Sequence, residues 1–161
     1  MAGWRFVDPL FYNMQALTDL LRNTKILMDK NILWNHVFSD KDFQTWILDL
    51  IRDDQLMEKG VNEDGQIIGV YTRYTEELTN GRKKAGDPYN LFDTGDFYKS
   101  MLILLGTDYF EIDADPIKEN ANLFTKFGEG IIGLTEESLE KLREETKRRY
   151  SIEIDRLFSL D

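Results

Sequence analysis

The residues best suited to chemistry are Asp93-Thr94-Gly95, which follow the apolar pair Leu91-Phe92. An aspartate in that setting can hydrolyse an amide when a second carboxylate lies about 3 Å away and the two share one proton, one acting as base and the other as acid. A homodimer would bring the second copy. Ile131-Ile132-Gly133 offers an apolar-apolar-glycine element of the kind that braces such a site. Against this chemistry, Asp96 stands directly after the glycine, where a small residue is needed, and adds a charge beside the pair.

Other constellations are weaker. Asn62-Glu63-Asp64-Gly65 has the residues of a calcium loop, but Gly60 and Tyr71 would fall where its first ligand and its bidentate acid belong, so it reads as a turn. His36 is the only histidine and the chain has no cysteine, which removes the usual zinc sets, disulfides and thiol nucleophiles. His36 is read as a packed or surface residue between two helices. Gly128-Glu129-Gly130 lacks the residues of a phosphate loop. Arg82-Lys83-Lys84 is a short basic run, more readily a solubilising loop tip than a nucleic-acid contact. No catalytic, cofactor-binding or metal-binding set emerges, and the expectation is a protein that is not an enzyme.

These residues must be positioned by a chain of 161 residues with thirty acidic and twenty basic side chains, a net charge of −10. That balance disfavours binding along a phosphate backbone, which takes a surplus of Lys and Arg. A hydrophobic fraction of 42% suits a folded domain. The N-terminus has no leader pattern, and no window approaches the roughly 20 apolar residues of a membrane helix. The expectation is a cytoplasmic protein with no membrane partner.

The pattern predicts one α+β domain, mostly helical, with a small antiparallel hairpin or sheet and a long C-terminal helix. Residues 1–60 read as a helical pair, 61–133 as a turn-rich, β-containing middle, and 134–161 as the final helix. Pro9, after Asp8, starts a helix whose stripe is Leu10, Met14, Leu17, Leu21 and Met28. Ser39 and Asp42 resemble a capping box ahead of Phe43, Trp46, Ile47, Leu50 and Ile51, on a helix ending near Gly60. Tyr71 to Leu78 fits either a short helix or an extended segment. Thr79 to Asn90, with two Gly and one Pro, reads as a mobile surface loop. Met101–Leu105 and Tyr109–Ala114 flank Gly106-Thr107-Asp108 as a β-hairpin. Asp115-Pro116 is expected to open a helix running through Phe124 and Phe127 to Gly128. The last helix starts at Thr135, with Leu139, Leu142, Thr146, Tyr150, Ile154 and Leu157 along one face.

The stretch from Ile47 to Tyr150 resembles the bacteriophage virion-morphogenesis or tail-completion proteins of the head–tail joint, most closely those of phages of Bacteroides-type bacteria. The resemblance rests on Asp54-Gln55-Leu56, Asn62-Glu63-Asp64-Gly65 and Ile68-Gly69-Val70-Tyr71. Its centre is Leu91 to Ser100, and it continues through Ala114-Asp115-Pro116-Ile117-Lys118, Asn122-Leu123-Phe124 and Gly133-Leu134-Thr135. It implies a non-enzymatic neck or tail-completion subunit that forms a homo-oligomeric ring in the virion, assembled in the host cytoplasm. Neighbouring neck, portal-adaptor or tail subunits would be its other partners, with DNA met only as it passes through a lumen. In this setting Asp93, Thr94, Gly95 and Ser100 form a structural turn: Asp93 caps backbone N–H groups, Gly95 takes an unusual φ, and Phe97 enters the core.

Two alternatives stand beside that reading: a retroviral-type aspartic protease using Asp93 in a homodimer, and a small acidic adaptor for one host or phage protein. The expected assembly surface comprises Arg82, Lys83 and Lys84 on the loop, Trp46 on the second helix, and Ile154, Leu157 and Phe158 at the end of the last helix.

Overall fold

The computed structural model describes residues 18–25, 29–118 and 121–159. Residues 18–25 are helical; the expected helix start at Asp8-Pro9, and Leu10, Met14, Leu17 and Met28 of its stripe, lie outside the described residues. The next element, α1 (Lys30–Phe38), is one that the apolar stripe ending at Lys30 does not include. Asp29 caps it by accepting from the Asn31 N–H at 3.0 Å. Apolar residues on more than one side give α1 little of the asymmetry that marks a helix in sequence.

α2 (Lys41–Asp49) is capped by Asp40 rather than Ser39, whose backbone still belongs to the end of α1. The Asp40 carboxylate accepts from the Asp42 and Phe43 N–H groups at 2.8 and 3.1 Å. This is the usual N-cap arrangement, with a stronger, charged acceptor in place of a hydroxyl. The helix does not stop at Asp49. It widens into a π-helix over Leu50–Lys59, which buries Leu50, Ile51, Gln55 and Leu56 and ends at Gly60. Gly60 has φ +62°, and a Cβ there would come within 2.5 Å of the Pro88 Cβ, so both conformation and contact require glycine.

The Asn62 turn forms as expected: its side-chain oxygen accepts from the Asp64 and Gln66 N–H groups at 3.1 and 2.9 Å. The open choice over Tyr71 to Leu78 resolves as a short helix, α3 (Arg73–Leu78), capped by Thr72. α4 (Asp96–Ser100) leads into β1 (Leu102–Leu105) and β2 (Phe110–Asp113), an antiparallel hairpin pairing Leu102 with Asp113 and Leu104 with Glu111. The expected helix from Pro116 does not form. A second, minimal antiparallel pair takes its place, β3 (Ile117–Lys118) with β4 (Ala121–Asn122), and the helix there, α5, is confined to Leu123–Phe127. Local side-chain chemistry accounts for the difference. Asp115 accepts from the Ile117 N–H at 2.9 Å, turning the chain, and Asn122 caps the later helix by accepting from the Thr125 N–H.

A 3₁₀ turn (Glu129–Ile132) precedes α6 (Glu136–Phe158), whose 23 residues begin behind the Thr135 cap as expected. The architecture is that of an α+β domain, with two small antiparallel pairs among the described residues and a long C-terminal helix. Two apolar clusters of described residues form its interior. The larger joins the π-helix to Leu91, Phe97, Tyr98, Met101, Leu123 and Ile131; the other holds Val37, Phe38, Phe43, Ile47 and Leu142. Ile103 and Ile112, from the inner face of the hairpin, and Leu134 pack against both.

Gln55 ties the π-helix to the start of α6. It is almost fully buried, donates to the Gly133 carbonyl and accepts from the Thr135 N–H, each at 2.9 Å. Among the described residues no helix is long and apolar enough to cross a membrane.

Candidate functional site

The Asp93-Thr94-Gly95 turn sits at the entry to α4. Gly95 adopts φ +82°, as the turn reading requires, and a Cβ on it would meet the Phe92 ring at 3.1 Å. Phe97 enters the core at 6% exposure. Asp93 does not take the expected capping role. Its carboxylate pairs with Lys118 Nζ at 3.4 Å, with both side chains partly open to solvent. The local N–H groups are served by its neighbours: Asn90 accepts from the Phe92 N–H at 3.1 Å, and Thr94 Oγ1 accepts from Asp96 N at 3.4 Å while donating to the Asp96 carboxylate at 2.5 Å. Ser100 completes the turn, donating to the Phe97 carbonyl and accepting from the Asp115 N–H. Among the described residues of the chain, the charged partner of Asp93 is an ammonium, that of Lys118.

Next to this turn lies a cleft of about 490 Å³ bordered by Tyr71, Lys83, Asn90, Phe92 and Asp93. Lys83 is its organising residue. The ammonium donates to Tyr71 Oη at 2.8 Å, to Asn90 Oδ1 at 3.1 Å and to the Phe92 carbonyl, and it lies 4.8 Å from the centre of the Tyr71 ring. Asn90 Oδ1 also accepts from Tyr71 Oη at 2.8 Å. Buried Tyr98 donates to the Asn90 carbonyl; burial first, then the charges of Asp53 and Tyr71, push its phenol well above the usual range. Leu91, between these anchors, is held at φ +55° with its side chain buried. A non-glycine residue in that region costs on the order of 1–3 kcal/mol and persists only where its surroundings fix it.

The segment Thr79–Asn90, read from composition as mobile, is therefore tied down. Its backbone pairs with the strand-like stretch before α3: Tyr71 N donates to Asp87 O, Gly86 N to Tyr71 O and Tyr89 N to Gly69 O, all within 2.9 Å. Of the three basic side chains expected on the assembly surface, Lys83 is turned inward, while Arg82 and Lys84 remain exposed.

The other expected surface residues divide similarly. Trp46 is half-buried and stacks on Phe43 at 5.8 Å, which places it with the second core cluster rather than on an open face. Ile154 and Leu157 are half-buried, and the helical segment 18–25 reaches this end of α6 through Asn23, which donates to the Leu157 carbonyl. Phe158 is exposed, and so is Ile152, which the face defined by Ile154 and Leu157 does not include.

His36, near the end of α1, meets α6, with Nδ1 2.9 Å from a Glu153 oxygen. The neighbouring Arg149 bridges α6 to the start of α2, donating to Glu145 at 2.8 Å and Asp40 at 3.1 Å, with its guanidinium 4.3 Å from the Phe43 ring centre. Arg148 above all, together with Arg149, pushes the Glu145 carboxyl down to about 2. Gly130 and Gly133 receive the Glu63 side chain so closely that a Cβ on Gly133 would stand 2.1 Å from a Glu63 oxygen. The Ile131-Ile132-Gly133 element therefore braces the Asn62 turn and the π-helix, with Ile131 fully buried.

Asn90, Tyr71, Lys118 and Lys126 enter this region without a sequence signal, because their meeting depends on chain reversals and not on spacing. No family model matches the chain, and neither a curated protein nor a solved structure does.

Proposed function

We propose that this chain is a structural subunit of a phage head–tail connector, neck or tail-completion ring. It would act in virion assembly through contacts with copies of itself and with adjoining neck, portal-adaptor or tail subunits. The order of motifs from Ile47 to Tyr150 supports the reading.

The observation that carries it is the outer face of the β1–β2 hairpin. Leu102 and Leu104 stand side by side there at 44% and 48% exposure. A two-stranded sheet has unpaired edges on both sides, and exposed leucines beside such edges offer a surface to another chain. Exposed Tyr74 and Leu78 on α3, and Ile152 and Phe158 on α6, add apolar surface for further neighbours. Arg82 and Lys84 would face the acidic surface of an adjoining subunit, or DNA in the lumen.

Sedimentation of the purified chain tests the reading. A discrete homo-oligomer is expected. A monomer that captures a single partner would favour an adaptor, and peptide cleavage abolished by Asp93→Asn would favour the protease.

A further inference from the structure

The hairpin face just described is not purely apolar. In the antiparallel register Leu102 lies opposite Asp113 and Leu104 opposite Glu111, so a pair of leucines runs beside a pair of carboxylates. All four side chains are exposed. Residues two apart on one strand stand roughly 7 Å apart on the same side, so the carboxylates form a short acidic row. Among the described residues, no basic side chain pairs with Glu111 or Asp113.

Elsewhere on the same chain is a surface of the opposite kind. Beyond Tyr71 and Lys83, the region around the Asp-Thr-Gly turn opens into a cleft of about 320 Å³ whose apolar lining is half-buried Phe127 over the buried Leu91 and Leu123. Among the described residues three ammonium groups, Lys83, Lys118 and Lys126, border it with one carboxylate, that of Asp93. In a protein of net charge −10, the described lining residues carry a local excess of positive charge. Lys83 is consumed by its three oxygen acceptors. Lys118 is shared with Asp93 alone among the ion pairs. Lys126 has no carboxylate partner among the described residues and lies 5.0 Å from the Phe127 ring centre. Lys126 thus has no acid of its own among the described residues, and Lys118 would exchange Asp93 for the acid of a partner.

We propose that the partner is a second copy of this chain, whose hairpin seats Leu102 and Leu104 against the apolar walls and brings Glu111 and Asp113 to Lys118 and Lys126. The two patches complement each other in both charge and apolar content, two carboxylates and two leucines against two lysines and an apolar lining. Complementary charges fix register and suppress wrong pairings more than they add affinity, while the apolar pair supplies the buried area. Where the two patches pair in one direction only, the contact is heterologous. Repeated head to tail, such a contact closes into a ring when the rotation between copies permits. The inference rests on the proposed ring-forming role and gives that role an interface.

Two reversed variants test it in the full chain: Glu111→Lys with Asp113→Lys, and Lys118→Glu with Lys126→Glu. Each alone should raise the concentration of half-assembly by about tenfold or more, since like charges now face each other. An equimolar mixture of the two should associate again into mixed species by sedimentation, because the hairpin of each variant finds a cleft of opposite sign on the other, and a variant that had merely unfolded could not be rescued in this way. Assembly of the wild type with neither variant affected, or variants that fail to rescue each other, would overturn the hairpin–cleft contact while leaving the ring reading in place. A wild type that stays monomeric at every concentration would overturn both.

Discussion

The Asp93 carboxylate stands 3.4 Å from the Lys118 ammonium, so the acid of the Asp-Thr-Gly motif is joined to the lysine that borders the neighbouring cleft. The pair links the turn before α4 to strand β3, across 25 residues of sequence. It also sets Asp93 in competition with any acidic partner for Lys118.

Asp93→Asn is therefore expected to change stability little, by about 0–1 kcal/mol, as for other partly exposed ion pairs. Gly95→Val should destabilise by more, on the order of 1–3 kcal/mol or above. A β-branched residue at φ +82° is strained, and its Cβ presses on the Phe92 ring. Denaturant melts of both variants decide the matter, and equal losses would contradict the turn account.

The segment Thr79–Asn90 should be protected from exchange. Its amides at Gly86 and Tyr89, and that of Tyr71 opposite, are bonded across the two stretches, and Lys83 pins the middle. Hydrogen exchange should show these three amides opening more slowly than the exposed N–H of Lys84. Lys83→Ala should speed their exchange, since it removes the donor shared by Tyr71, Asn90 and Phe92. Uniformly fast exchange along the segment would show that composition, not this network, describes it.

Acid should weaken the ion pairs that Glu145 makes with Arg148 and Arg149 along α6, and the Asp40–Arg149 pair that ties α6 to the start of α2. The Glu145 carboxyl is held at about 2, mainly by Arg148, so its folded value lies below that of the unfolded chain. A depressed carboxyl stabilises fully above its unfolded value and loses that contribution as pH falls toward its folded one. The loss therefore falls between the ordinary glutamate value of 4.5 and about 2. Asp40, lowered by its Phe43 N–H bond, loses its contribution in the same direction. Thermal melts at pH 6 and pH 3 should show a smaller fall for Glu145→Gln than for the wild type. An equal fall would mean that the ion pair carries none of the acid sensitivity.

Much of this fold is legible in the residues themselves. Thr135 with its downstream stripe marks α6, the apolar runs around Gly106 mark the hairpin, and Gly95 is where a left-handed residue is needed. The π-helix is not legible. Leu50, Ile51, Gln55 and Leu56 suit an α-helix nearly as well, since the two geometries drift apart by less than one residue per turn. Pro116 misleads because Asp115 and Asn122 bond locally and break the expected helix into a strand pair and a short turn of helix. The candidate site is harder still. Nothing within Arg82-Lys83-Lys84 distinguishes the lysine that turns inward, because the acceptors that capture it come from Tyr71, Asn90 and Phe92. The sequence spacing of Lys118 and Asp93 likewise carries no sign that they meet.

Electron microscopy of the purified full chain tests the central claim, that this domain works by self-assembly, most directly. Closed rings of one stoichiometry are predicted, with the Leu102–Leu104 face of each hairpin covered by a neighbouring subunit. Isolated single subunits at concentrations well above those in an assembling virion, with that face open to solvent, would contradict it.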